Sequence, residues 1–224
     1  MAAKRKTSAK RLLIVDDHPM MRTGLAQLID NENDLKVSAE ADTAGQAINA
    51  VAKQKFDLAL VDISLPDKTG LELIKDLRAL KPELPILVVS MHDELIYAER
   101  VLRAGARGYI MKQEGGQKFL VAIRQVLAGK VYVSEKMSAR ILENFSGNPA
   151  ENSGSPVRRL SDREFEVFQL IGQGVGTRDI AGRLYLSVKT VEVHRANIKQ
   201  KLQLATAMEL VRYAVRWLDA QGRS

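Results

Sequence analysis

The sequence predicts an α/β fold, a doubly wound five-stranded parallel sheet, followed by a second, smaller all-α domain. Three observations lead there. Five strand-like apolar runs alternate with amphipathic helical stretches over residues 11–132. A segment almost without apolar residues, Ser146 to Pro156, then interrupts the chain. Beyond it every apolar repeat has helical spacing.

The runs Leu12–Val15, Leu35–Val37, Leu58–Val61, Ile86–Val89 and Gly108–Met111 read as strands. Helical stretches fall near residues 19–30, 43–54, 69–80, 94–105 and 115–128. Strand-then-helix repeats imply parallel pairing with helices on both faces, because each crossover returns the chain to the same edge. Gly129–Tyr132 closes this domain and a helix from Ser134 to Phe145 follows. The segment Ser146–Pro156 has nothing to bury and reads as a flexible linker. The expected organisation is a basic disordered tail over residues 1–10, a first domain over 11–132, a helix and linker over 133–158, and a second domain over 159–224.

In the second domain Ser161-Asp162-Arg163-Glu164 forms a capping box, in which serine accepts from a backbone N–H and Glu164 reaches back. Phe165, Phe168, Leu170 and Ile171 supply a buried face, and Gly172-Gln173-Gly174 stops the helix. A short helix from Arg178 to Leu184, a turn at Leu186-Ser187, and a longer helix from Val188 to about Leu202 follow. A last helix, Thr206 to Leu218, carries Leu210, Val211, Ala214, Val215 and Leu218 along one side. A short helix, a tight turn and a longer basic helix are the organisation of a DNA-reading helix-turn-helix.

Composition narrows the class. The chain has 224 residues, 46% hydrophobic and 27% charged, with no cysteine, which excludes disulfides and thiolate metal sites and fits a cytoplasmic protein. No apolar run is long enough to span a bilayer. The net charge of +7 is uneven: +4 in residues 1–10, −1 in 11–132, zero in 133–158 and +4 in 159–224. A basic C-terminal domain favours a polyanion partner.

The chemistry collects at strand ends. Asp16-Asp17 ends the first strand, Asp62 the third, Ser90 the fourth and Lys112 the fifth. One acidic residue at a strand end commonly caps a helix or faces water; four such features at one edge of one sheet form a constellation. Asp17 and Asp62, with a loop carbonyl such as that of Ser64, make an oxygen-rich site suited to Mg²⁺. The cation offsets carboxylate repulsion so that Asp62 can attack phosphorus. Lys112 supplies a point charge for phosphoryl oxygens and Ser90 a hydroxyl.

With these residues in view, residues 11–132 resemble the receiver domain of bacterial two-component response regulators, a flavodoxin-like fold. The matching pieces are Val15-Asp16-Asp17-His18-Pro19, Val61-Asp62-Ile63 with Pro66 and Gly70, Val89-Ser90, Ala104-Gly105-Ala106, and Gly108-Tyr109-Ile110-Met111-Lys112. The resemblance implies that a histidine kinase phosphorylates Asp62, that Asp16 and Asp17 organise Mg²⁺, and that Ser90 and Tyr109 are switch residues. Gln113 departs from the proline that many receivers carry after the lysine.

Residues 159–224 resemble the LuxR-type helix-turn-helix of the NarL/FixJ class. The resemblance rests on Leu160–Glu164, Asp179-Ile180-Ala181, Ser187–His194 and Lys201-Leu202. On the third helix, Val191, Ile198 and Leu202 belong to the buried stripe. By family position Glu192, Val193 and Ala196 are the candidates for base edges. Lys189, Thr190, Arg195, Lys199 and Lys201 are the candidates for phosphates. The expected partners are a histidine kinase, double-stranded promoter DNA and a second copy of the chain on phosphorylation or DNA binding; RNA polymerase is a further contact such a factor can make. Gly176-Thr177 departs from the family's usual cap, and the helix should survive it. The fourth helix, with Leu210, Ala214 and Trp217, either completes the small core or pairs in a dimer, and partial dimer use is the favoured expectation.

The expected function is that of a phosphorylation-controlled transcription factor and not an enzyme. Two alternatives are weighed. A phosphorylation-independent DNA-binding protein would use the first domain as a dimerisation scaffold, which leaves its intact acceptor residues unexplained. An aspartate-nucleophile phosphatase of the haloacid-dehalogenase type needs a second aspartate two residues after the first, where this chain has Ser64.

Overall fold

The structure, a computed structural model, describes residues 9–146 and 156–222. The expected disordered tail falls on residues 1–10 and the expected flexible linker on 146–156; of these, 1–8 and 147–155 lie outside the described residues. The chain divides into two compact units, Met1–Arg140 and Ile141–Ser224.

In the first unit, strands β1 (Lys10–Val15), β2 (Leu35–Ala41), β3 (Leu58–Val61), β4 (Ile86–Ser90) and β5 (Gly108–Met111) alternate with helices. These are α1 (Pro19–Asp30), α2 (Ala44–Lys53), α3 (Gly70–Leu80), α4 (Glu94–Ala104) and α5 (Gly116–Leu127). All strand pairs are parallel, in the order β2-β1-β3-β4-β5. The winding direction therefore reverses between β1 and β3, the crevice where open α/β sheets bind ligands. The inner strands are continuous apolar runs because helices cover both faces: Leu58–Val61 and Ile86–Ser90 are buried throughout.

Two strands reach beyond the expectation, β2 because it lies at the sheet edge and β1 because its first residue has an ionic partner. β2 runs on through Ser38 and Glu40 to Ala41, beyond its predicted end at Val37. As an edge strand it alternates polar and apolar residues instead of running apolar. Lys10, assigned to the disordered tail, is the first residue of β1, and its ammonium pairs with Asp57 at 3.0 Å.

Thr69 caps α3 with a full capping box to Glu72. Gly70 opens that helix at a place where no side chain fits: a Cβ would stand 2.3 Å from the Asp62 carbonyl oxygen and 2.6 Å from Ile63 Cα. No described peptide bond is cis, that between Lys112 and Gln113 included.

After α5 the chain adds a parallel bridge to β5 through Tyr132 and enters α6 (Glu135–Ser146). The second unit contains a 3₁₀ turn (Pro156–Arg159), then α7 (Asp162–Gly172), α8 (Thr177–Arg183), α9 (Val188–Leu202) and α10 (Ala207–Gly222). Ser161 and Glu164 form the expected capping box. Gly176 is the N-cap of α8, which forms without a side-chain cap. Phe165, Val167, Phe168, Ile171, Ile180, Val191, Ile198, Leu210 and Ala214 are buried. Trp217 closes on Phe165 and Phe168 edge-on, at 5.7 and 5.6 Å between ring centres. Val211 and Val215, expected on the buried side of α10, are 37% exposed each. They lie about 100° and 140° around the helix from Leu210, which turns them from the core.

Candidate functional site

The register of the parallel strands assembles the acidic site. Val15 pairs with Val61, and the Asp62 N–H donates to the Val15 carbonyl at 2.8 Å, so Asp16 and Asp62 leave adjacent strands side by side. Ser90 pairs with Met111, and the Lys112 N–H donates to the Ser90 carbonyl. Lys112 then reaches across β4 and β3. Its Nζ donates to Asp62 Oδ2 at 2.7 Å and lies 2.7 Å from Asp16 Oδ2.

All three side chains are almost fully enclosed. Burial pushes the Asp62 carboxyl above its ordinary value, and the Lys112 hydrogen bond and charge oppose that rise without cancelling it. Burial alone would lower the Lys112 ammonium, but its contacts with the Asp16 and Asp62 carboxylates outweigh burial and the net direction is upward. Lys112 is therefore a fixed cation between two buried carboxylates. Its approach to Asp16 Oδ2 is an ion-pair distance without hydrogen-bond alignment, and that buried oxygen accepts no hydrogen bond.

Asp17 and His18 complete the cluster. His18 Nδ1 lies 2.7 Å from Asp17 Oδ1, and the His18 N–H donates to Asp16 Oδ1 at 2.9 Å. One ligand atom each from Asp16, Asp17, His18 and Asp62 falls within 4.8 Å of the others. Three carboxylates at the strand ends, one with a buried oxygen that accepts no hydrogen bond, fit a hard divalent cation. Ser64, expected to offer its carbonyl, donates its N–H to Asp62 Oδ1 at 3.3 Å, and its hydroxyl meets His92 Nε2 at 3.0 Å.

The two expected switch residues meet at His92. Ser90 is fully buried and its hydroxyl accepts the His92 N–H at 3.1 Å. Tyr109 is also fully buried, and its hydroxyl donates to the His92 carbonyl at 2.7 Å. Burial pushes the Tyr109 hydroxyl up, so it stays a neutral donor. Burial, then the charge of Lys112, lowers the His92 imidazole. His92 lies two residues after Ser90 and His18 directly follows Asp17, and neither is among the site residues expected from the sequence.

In the second unit, α9 carries the expected DNA-contacting residues. Ser187 caps it, accepting from the Thr190 N–H. Lys189, Glu192, Val193 and Ala196 are exposed along one side, with Thr190, Arg195 and Lys199 half-buried at its margins. Arg195 Nε approaches Glu192 Oε2 at 3.9 Å, which places a cation beside that carboxylate. Gln200, outside the set expected from the sequence, is exposed on the same side, about 20° from Lys189.

Lys201 stands apart from these residues. It lies about 120° from Lys189 around the helix, and its ammonium pairs at 2.6 Å with Glu164, the buried carboxylate of the α7 capping box. That ion pair engages the Lys201 ammonium, while the side chain itself stays 39% exposed. Burial pushes Glu164 up, but Lys201 and Ser161 outweigh it and hold the carboxyl below its usual value.

Comparison with known proteins places both halves. Residues 12–124 match the family of response regulator receiver domains, and residues 158–214 match the luxR family of bacterial regulatory proteins. The oxygen regulatory protein NreC of Staphylococcus aureus (strain MRSA252) is 38% identical over 210 residues, covering 92% of this chain and 97% of that protein. RcsB from Salmonella enterica serovar Typhimurium, solved bound to promoter rprA in the presence of phosphomimetic BeF3-, superposes with a TM-score of 0.64 at 26% identity, over 93% of this chain and 99% of that one. The response regulator ChrA of a heme-sensing two-component system superposes with a TM-score of 0.52 at 26% identity, over 95% of this chain and 99% of that one. No described helix is long and apolar enough to cross a membrane. With a receiver domain before a LuxR-type DNA-binding domain and relatives aligned over nearly its whole length, the chain belongs to the family of two-component response regulators.

Proposed function

We propose that the chain is a phosphorylation-controlled transcriptional regulator in which Asp62 accepts a phosphoryl group from a histidine kinase. The observation that carries this reading is Lys112 held between buried Asp62 and Asp16, beside an Asp16 oxygen with no hydrogen bond. In the transfer, Asp62 oxygen forms a bond to phosphorus while the bond to the kinase imidazole breaks, leaving an acyl phosphate and a free histidine. Asp16 and Asp17, with Asp62, would hold Mg²⁺, which screens the phosphoryl oxygens from the carboxylates. Lys112 pairs with the new charge, and Ser90 supplies a hydroxyl that turns toward it.

The output is binding of double-stranded promoter DNA through α9. Lys189, Thr190, Arg195 and Lys199 contact phosphates, and Glu192, Val193 and Ala196 face base edges. RcsB is described with promoter DNA and as two dimers bound to two DNAs, which supports DNA and a second copy of this chain as partners. The exposed stripe Met208, Val211, Val215 on α10 suits pairing with a second copy. The chain acts in the cytoplasm and turns over no substrate of its own.

Incubation with acetyl phosphate and Mg²⁺ tests the reading. Mass spectrometry should find one phosphoryl group on the wild-type chain and none on Asp62→Asn. Equal labelling of the two would move the acceptor elsewhere.

A further inference from the structure

The helix that leaves the receiver is capped by a residue of the switch segment. A capping box pairs the N-cap side chain with the N3 N–H, and an N3 carboxylate with the N-cap N–H. Ser134 performs the first half for α6: its hydroxyl accepts the Met137 N–H at 3.1 Å and its carbonyl accepts the Ser138 N–H at 2.9 Å. The N3 residue here is Met137, which has no carboxylate and is itself buried. Glu94 of α4 supplies the missing half, its Oε1 accepting the Ser134 N–H at 2.8 Å. The box is completed in trans, and Glu94 is only 7% exposed while doing so.

Glu94 is placed to respond to the acceptor. It follows Asp93, the N-cap of α4, and lies two residues beyond His92. That histidine is held by both switch residues, Ser90 through its N–H and Tyr109 through its carbonyl. On the other side, the chain entering α6 is fixed to β5 by Tyr109 N–H to Tyr132 carbonyl at 2.9 Å and Tyr132 N–H to Arg107 carbonyl at 3.0 Å. Residues 90–94 can therefore shift while Ser134 stays with the sheet edge.

We propose that Glu94 is the positioning residue that carries the state of the acceptor site to α6. When Ser90 turns toward a phosphoryl group, residues 90–94 follow, Glu94 leaves the Ser134 N–H, and the first turn of α6 loosens. This rests on the reading that Asp62 takes the phosphoryl group.

The test is hydrogen exchange on the full-length chain, with and without acetyl phosphate and Mg²⁺, reading the Ser134 and Met137 amides and the phosphoryl content of Asp62 in the same sample. The expected result is an increase of about tenfold in exchange at both amides on phosphorylation, the scale set by loss of one hydrogen bond to a carboxylate. Glu94→Ala should exchange fast in both states, and Glu94→Gln, which keeps an acceptor oxygen, should restore protection without the donor. A merely structural cap would give fast exchange in Glu94→Ala but no response of the wild-type amides to phosphorylation. Labelled wild-type protein with unchanged amides would overturn the proposal; absence of label would overturn the acceptor reading beneath it. The wild-type comparison decides the matter even if Glu94→Ala fails to fold.

Discussion

Replacing Lys112 with methionine keeps most of the apolar stem and removes the ammonium, with its charge and its hydrogen bond to Asp62. In the structure that charge lies 2.7 Å from both Asp62 Oδ2 and Asp16 Oδ2, and all three side chains are at most 4% exposed. Breaking a buried pair costs about 3–5 kcal/mol, because the remaining charges keep their desolvation penalty. For a unit of this size about 3 °C is lost per kcal/mol, so the receiver melting temperature should fall by roughly 10–15 °C. The sign of the pH dependence follows from burial. Asp62 already has a raised folded pKa, and without Lys112 it rises further; such a group's stabilising contribution is present below its unfolded value and lost as pH climbs through the folded value. The deficit of Lys112→Met should therefore shrink as pH falls. Mg²⁺ should also shrink it, because a cation among Asp16, Asp17 and Asp62 supplies the missing positive charge. Thermal melts of both proteins across pH, with and without Mg²⁺, test this. A loss below about 1 kcal/mol, or a deficit indifferent to both pH and Mg²⁺, would refute the electrostatic account of the site.

Three further expectations follow from particular contacts. Gly70→Ala forces a Cβ against the Asp62 carbonyl and the Ile63 backbone, so its labelling by acetyl phosphate should slow at least tenfold while the second domain melts normally; wild-type labelling would mean that the loop yields freely. Glu164→Gln should destabilise the second domain by about 1–3 kcal/mol near neutral pH, since it loses a buried charge-assisted pair with Lys201 and the Ser161 cap. Because the Glu164 pKa is depressed, its contribution is present above the unfolded value and lost as pH falls through the folded one, so the two melting curves should converge in acid; a constant gap would exclude the carboxylate as the cause. Lys189→Ala and Lys199→Ala should each lower the slope of log affinity for DNA against log salt by about one, whereas Lys201→Ala should lower stability and leave that slope alone; a slope change for Lys201 would place its ammonium on the phosphates after all.

Much of the receiver was legible because its strands announce themselves. Leu58–Val61 and Ile86–Val89 are uninterrupted apolar runs that stop at a polar residue, and in a parallel sheet those stops share one edge. That is why the sequence alone brings Asp16, Asp62, Ser90 and Lys112 together. What escaped depends on neighbours distant in sequence. The polar end of β2 is a strand only because β1 lies beside it. Lys10 looked like tail until Asp57 met it. Lys201 reads as another basic residue of a DNA-facing helix, and only the position of Glu164 gives its ammonium a partner within the domain. His92 gains meaning from two bonds made to its backbone, which no side-chain pattern encodes. Glu94 belongs to the same class: its partner Ser134 is 40 residues away.

The central claim is that charge on Asp62 controls DNA binding by the second domain. It is tested most directly by selecting a duplex from a random pool and measuring its affinity by fluorescence anisotropy, for wild type and Asp62→Asn, with and without acetyl phosphate and Mg²⁺. The account predicts at least a tenfold tightening for the phosphorylated wild type, equivalent to about 1.4 kcal/mol, and no response from Asp62→Asn. Equal affinities in all four conditions, with Asp62 shown to be phosphorylated, would contradict it.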